Sequence, residues 1–203
     1  MQRVSKLFIY VIGFPGSGKL SISTELSKTL DALIMDNSMF NNIAFNLIDN
    51  ELFTRREVPQ KLWDKIFEIR AVTLKIIEQY PTPSGNYIFT NELLEGDEYD
   101  MRVYNSIVSL SEKLKTKMLP IILNCSEDVL KERISSKERH KNKKITDVDF
   151  ATSRIRGKKL FVPKGALEID NSNLKPKEAA KIIMAHIKEQ YANHSTEKQL
   201  DFV

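Results

Sequence analysis

An unbroken apolar, β-rich run opens the ordered pattern of the chain, and the spacing predicts a strand over Lys6 to Gly13 that is buried on both faces, as in a parallel sheet. Periodicity then changes: Ile22, Leu26 and Leu30 recur one helical turn apart. Ala32 to Met35 returns to a short strand ending at Asp36, completing a β-α-β unit. A helical face follows at Leu62, Ile66, Ile69, Thr73, Ile76 and Tyr80, stopped by Pro81-Thr82-Pro83-Ser84-Gly85. Tyr87 to Thr90 reads as a third strand, with a helix carrying Val103, Ile107, Leu110 and Leu114 after it. Leu119 to Asn124 makes a fourth strand, and Ser126 is placed to cap a helix with Val129, Leu130 and Ile134. Gly165 to Asp170 is a fifth strand, and Pro176 stands where a first helical turn tolerates proline, ahead of Ala180, Ile183 and Ile187. Strands alternating with helices predict an α/β fold, a three-layer sandwich with a five-stranded parallel sheet and right-handed crossovers.

With 203 residues, 41% of them hydrophobic and 29% charged, the chain suits one core, expected over 1–192 with a polar tail at 193–203. The first apolar run is far shorter than the roughly 20 residues of a membrane span, and it leads into a glycine-rich loop rather than a small-residue cleavage site. One cysteine, Cys125, excludes an internal disulfide, and His140, His186 and His194 are too scattered for a zinc site. A reducing cytoplasm is the expected location. Net charge is +4, but residues 131–160 hold 11 Lys and Arg against 4 Asp and Glu. That segment is therefore +7 and the remainder −3, which points to one anion-handling region rather than a basic coat. Its only aromatic is Phe150, so there is no stacking platform and nucleic acid is not the expected partner.

Gly13-Phe14-Pro15-Gly16-Ser17-Gly18-Lys19 matches G-x-x-x-x-G-K at a strand-to-helix junction, the context such a loop requires. Glycines let successive N–H groups turn inward around phosphate oxygens, the helix N-terminus adds partial positive charge, and Lys19 reaches the outer phosphates. Leu20 occupies the position where a hydroxyl ordinarily meets Mg²⁺. Ser21 comes next, about 100° further round the helix, and is the candidate metal ligand.

Pro15-Gly16-Ser17-Gly18-Lys19-Leu20-Ser21 resembles the loop of adenylate kinases and related P-loop kinases, which also place a non-hydroxyl residue after the lysine and a hydroxyl next; the wider resemblance is to the P-loop NTPase superfamily that includes shikimate kinases. The likeness in order of elements extends over about 6–190. It implies a P-loop NTPase sheet of order 2-3-1-4-5, ATP as phosphoryl donor with Mg²⁺, and a mobile lid in the basic segment at about 133–160. Arg133 and Arg139 are then the leading phosphate-binding candidates, followed by Arg154 and Arg156; arginine forks suit phosphate oxygens. Lys141, Lys143 and Lys144 are expected to face solvent. Asp36, at the ligand-binding edge of the sheet, either holds an acceptor hydroxyl or caps a helix begun by Asn37-Ser38. Related enzymes carry an aspartate at the end of the third strand; here the residues are Asn91 and Glu92, with Glu92 a substitute or a plain loop carboxylate. The resemblance also points to a substrate-binding arginine at Arg70, with Arg55 and Arg56 before it, the alternative being a surface pair with an acid such as Glu68. Asn171, after the fifth strand, stands where the adenine would lie.

The expected activity is transfer of the ATP γ-phosphate to a small molecule or nucleotide. Gly13, Pro15, Gly16, Ser17, Gly18, Lys19, Leu20 and Ser21 hold the donor, and Lys19, Asp36, Arg133 and Arg139 are the catalytic candidates. Asp36, Arg70 and Glu92 face the acceptor. The alternative is a nucleotide-binding switch or regulatory ATPase without transferase activity, motivated by Leu20 and the missing third-strand acid.

Overall fold

The computed structural model describes residues 6–48, 58–136 and 147–200, without the side chains of 150 and 191–200. Five strands alternate with seven helices among the described residues: β1 (Leu7–Ile12), α1 (Lys19–Leu30), β2 (Leu33–Asp36), α2 (Asn37–Phe45), α3 (Gln60–Gln79), β3 (Tyr87–Asn91), α4 (Glu98–Lys113), β4 (Lys117–Asn124), α5 (Glu127–Ile134), α6 (Val148–Gly157), β5 (Leu167–Asp170) and α7 (Pro176–Leu200). All pairings are parallel and the sheet order is β2-β3-β1-β4-β5, as expected.

β1 is central, and its alternating side chains feed two cores. Phe8, Tyr10 and Ile12 join α2, α3 and α4 through Phe40, Ile66, Leu74, Val103 and Ile107. Leu7, Ile9 and Val11 join α1 and α7 through Ile22, Leu26, Ala180 and Ile183. A strand buried on both faces cannot alternate apolar with polar, which explains the continuous run in the sequence. A third, smaller cluster of Leu130, Ile134 and Ala151 packs with Phe14, joining α5 and α6 to the loop after β1.

Several boundaries differ from expectation for local reasons. The β4 strand begins at Lys117, because Lys117 and Met118 still pair with Leu7 and Phe8 beyond the most apolar stretch. Gly165 lies outside β5, its φ of +77° being incompatible with extended backbone. α4 starts well before Val103 because the Asp97 carboxylate caps it, accepting from Asp100 N at 3.0 Å. α2 and α6 are helices that periodicity alone does not show, and α7 continues to Leu200, into the segment expected to be a polar tail. Among the described residues no helix is long and apolar enough to cross a membrane.

Candidate active site

The carboxyl ends of all five strands open onto one edge, where ligands bind in such sheets. Gly13 leaves β1 with its N–H bonded to Asn91 O at 3.2 Å, so the loop starts against the end of β3. A side chain at Gly13 would run into Ser17 Oγ and approach Leu123 O at 3.1 Å. Gly16 and Gly18 take φ values of +89° and +87°, which glycine adopts without strain. Gly18 is the N-cap of α1 and offers no side chain, leaving the first helical N–H groups directed at the edge. Lys19 Nζ donates to Gly13 O at 2.6 Å and Phe14 O at 3.0 Å, folding back over the loop. Within the loop, Ser17 N closes a turn onto Phe14 O at 3.1 Å.

The loop is braced from β5. Asn171, buried to 2% exposure, donates Nδ2 to Ser17 O at 2.6 Å. Arg133 donates Nη2 to Asn171 O at 2.9 Å and Nη1 to Cys125 Sγ at 3.4 Å, tying α5 to the same turn. Arg133 is therefore beside the loop, its Nη1 being 3.9 Å from where a Gly18 Cβ would lie. Asn171 Oδ1 and Ser17 Oγ are buried without partners. Leu20 is half-buried and Ser21 is exposed on the first turn of α1. Arg139, Arg55, Arg56, Lys141, Lys143 and Lys144 lie outside the described residues. Arg156 forks onto Glu127 at 2.9 and 2.6 Å on the surface of α5, away from the loop.

On the far side of β3 the edge holds a second polar group. Asp36 caps α2, its Oδ1 accepting Ser38 N at 2.8 Å and also the Ser38 hydroxyl. The capping alternative is thus realised, while the carboxylate remains at the rim of the edge. Arg70 does not pair with Glu68, which binds Lys65 at 2.9 Å. Instead Arg70 is 1% exposed, donates Nη2 to Asn37 Oδ1, stands 4.2 Å from the Phe40 ring centroid and leaves Nε unpartnered. Burial lowers its pKa, opposed by Tyr10, Tyr99 and Asp100 nearby. Tyr99 Oη is likewise buried, close to the Arg70 guanidinium. Phe45, Trp63 and Phe67 complete a partly buried aromatic wall with Tyr99, the Trp63 and Tyr99 rings lying 5.4 Å apart.

The third-strand end departs from expectation in its partners. Asn91 Oδ1 accepts from Tyr10 Oη at 3.1 Å. Glu92 accepts from Arg154 Nε at 3.1 Å and Nη2 at 3.0 Å, so both carboxylate oxygens face α6. Asp100, half-buried in the first turn of α4, accepts Leu94 N at 2.8 Å; desolvation, chiefly, pushes its pKa up to about 7. Sequence reading missed Asn37, Tyr99 and Asp100. Only Asp100 left a signal, as an acid in a first helical turn, and that reads equally well as dipole compensation.

Fold and loop together define an α/β domain of the P-loop NTPase type. The profile of a family described as AAA domain matches residues 9–154, and the chain belongs to that family. No curated protein matches the sequence. Among solved structures, a gluconokinase from Sinorhizobium meliloti 1021 is 15% identical with a TM-score of 0.58, covering 95% of this chain and 97% of that one. A shikimate kinase from Aquifex aeolicus vf5 is 17% identical with a TM-score of 0.51, covering 91% and 98%. One from Acinetobacter baumannii, in complex with shikimate, is 13% identical with a TM-score of 0.51, covering 90% and 93%. At these identities the likeness is one of fold.

Proposed function

We propose that the protein is an ATP-dependent phosphotransferase acting on a small hydroxylated acceptor that carries a negative charge. The observation that carries this reading is the presence, along one sheet edge, of a glycine loop under Lys19 and of a buried guanidinium, Arg70, that has no carboxylate within ion-pair distance among the described residues. A buried charge without a counter-ion is costly, and an anionic acceptor would supply one. The aromatic wall of Phe45, Trp63 and Tyr99 suits the non-polar face of a compact ring or chain beside it.

In this reading the loop amides from Gly13 to Ser21 and the Lys19 ammonium hold the triphosphate, and Asn171 supports the turn under the base. Phosphoryl transfer asks for alignment, charge neutralisation and dryness more than for covalent help. Asp36 lies where it can accept a hydrogen bond from the acceptor hydroxyl, releasing that of Ser38 to do so. The loop fits the nucleotide. The donor set for Mg²⁺ is thinner: Ser21 is the available hydroxyl, Asn91 is bonded to Tyr10, and among the described residues no cluster of three His, Cys, Asp or Glu could hold a metal. Bound Mg²⁺ would neutralise charge on the phosphates while held mainly by nucleotide oxygens and water, its usual mode.

Lys19→Ala removes the loop's ammonium donor and its two bonds to loop carbonyls. Acceptor-dependent ATP consumption should fall to background with the circular dichroism spectrum unchanged; retained turnover sinks the proposal. Leu20 and the engaged Asn91 favour a second reading, a nucleotide-dependent switch. ATP consumption measured with and without gluconate, shikimate and nucleoside monophosphates separates the two, because a switch binds ATP without acceptor-stimulated turnover.

A further inference from the structure

The turn after β5 is held at several points without help from the Asn171 side chain. Asn171 N donates to Asn124 O at 2.9 Å, and its own carbonyl accepts Arg133 Nη2 at 2.9 Å and Leu174 N at 3.3 Å. Ser172 Oγ accepts Ser126 N at 2.8 Å, and the Asp170 carboxylate takes the Ser172 N–H and hydroxyl at 2.9 and 2.6 Å. Backbone pairing and these caps therefore fix the turn, which leaves the Asn171 amide group for another task.

That amide is spent on the glycine loop. Asn171 is 2% exposed and donates Nδ2 to Ser17 O at 2.6 Å across 154 positions of chain. Its Oδ1 is buried with no partner among the described residues. A buried acceptor without a donor is unfavourable, so an apolar residue would suit the site better if packing were the whole role. A side chain so closely enclosed also has no face to offer a nucleobase. What it reaches is the peptide between Ser17 and Gly18. In a trans peptide the C=O and the following N–H point in opposite directions, so holding Ser17 O at the β5 turn sends the Gly18 N–H away from that turn. Gly18 has φ of +87° and is the N-cap of α1, and a Cβ there would lie 3.4 Å from Asn171 Nδ2. Glycine tolerates either sense of rotation at such a point, so a bond from outside the loop decides which way the N–H faces.

We infer that Asn171 is a positioning residue: anchored by the β5 turn, it sets the Ser17–Gly18 peptide so that the Gly18 N–H is presented to a phosphate oxygen, and its side chain does not touch the base. This rests on the phosphate-loop reading above. It moves Asn171 from the base, where the order of elements put it, to the phosphates. Arg133 acts on the same peptide at one remove, through the Asn171 carbonyl.

The test is calorimetric titration of the full-length protein with ATP and with inorganic tripolyphosphate, in one Mg²⁺ buffer, for wild type and Asn171→Ala, together with the Gly18 amide resonance of isotope-labelled protein. A lost bond to a charged group corresponds to about 10- to 100-fold in affinity. Asn171→Ala should lose that factor for ATP and tripolyphosphate alike, because both present phosphates and only one presents a base. At saturation with tripolyphosphate the wild-type Gly18 amide proton should move downfield, as an amide drawn into a charge-assisted bond does, and in Asn171→Ala it should stay near its free position. A loss confined to ATP would make Asn171 a base contact and overturn the inference. Unchanged affinities with a lowered melting temperature would show a structural brace and overturn it too, as would a full Gly18 shift in the variant. Should Asn171→Ala be too unstable to titrate, Asn171→Asp keeps the shape and loses the donor; a wild-type tripolyphosphate affinity or a full Gly18 shift in that variant also overturns it. A wild type that binds neither ligand removes the underlying phosphate-loop reading, a result distinguishable from any difference between wild type and variant.

Discussion

A guanidinium ordinarily pairs with a carboxylate, and Arg70, 1% exposed, has none in ion-pair contact among the described residues: its neighbours are an amide oxygen, a phenyl ring and two phenols. Replacing it by methionine removes a desolvated charge as well as one hydrogen bond and a cation–π contact, effects of opposite sign and about 1–2 kcal/mol each. Arg70→Met should therefore be close to wild type in urea unfolding while losing about 100-fold or more in acceptor-dependent turnover. A large loss of stability would mean the charge serves the fold and not a ligand. Nothing in the sequence marks Arg70 as buried: it lies on a helix among Glu68, Lys65 and Asp64, and the periodicity of α3 places it on the apolar face only once the helix is registered against β3 and α4. Lys19 is the opposite case. Its proposed role is read from the seven residues around it, because a turn of consecutive amides is a local structure that glycine spacing favours.

Elements show the same division. The α4 helix begins at Asp97 and carries Asp100 in its first turn, where the carboxyl accepts Leu94 N–H but sits close to Asp97 and Glu92, with Arg154 partly offsetting them. The native state raises this pKa from 3.8 to about 7, so it binds the proton more tightly than the unfolded chain does. The stability this group supplies is fully present below about pH 4 and is lost as pH rises to about 7. Asp100→Asn keeps an acceptor for Leu94 N–H and cannot ionise. The variant should show a flatter decline of urea midpoint between pH 4 and 7 than wild type, and greater stability at pH 8; parallel pH curves would exclude the effect. Strands and long helices were legible from period and turn residues. The start of α2 was legible only as one reading of Asp36, the cap before Asn37-Ser38, and α6 was not, because it reads as a charge run until its Ala151 and Ile155 meet Phe14.

Both layers of the molecule meet in β1, whose odd and even residues belong to different cores. Ile9 is 1% exposed on the α1–α7 side, and Ile9→Ala should destabilise by about 2–5 kcal/mol through lost contacts and a cavity. Trp63, the single tryptophan, packs on the opposite layer. If the sheet unites the two layers into one cooperative unit, fluorescence and circular dichroism should report the same lowered urea midpoint in this variant. Two separated transitions would mean that the layers unfold independently.

The order of elements and the glycine spacing of the loop were legible in the amino-acid sequence, since period and turn residues act within a few turns of chain; the alternation of strands with helices implied a parallel sheet, although its pairings, such as Phe8 with Tyr87, are far apart in the chain. Tertiary structure alone decided the partners of charged residues. It set Arg70 into an apolar wall, aimed Glu92 at Arg154 across 62 positions, and closed Arg133 onto the β5 turn. The reason is physical: hydrophobic period and backbone geometry repeat locally and leave a trace in sequence, whereas an ion pair needs only two compatible ends, and the fold chooses which ends meet.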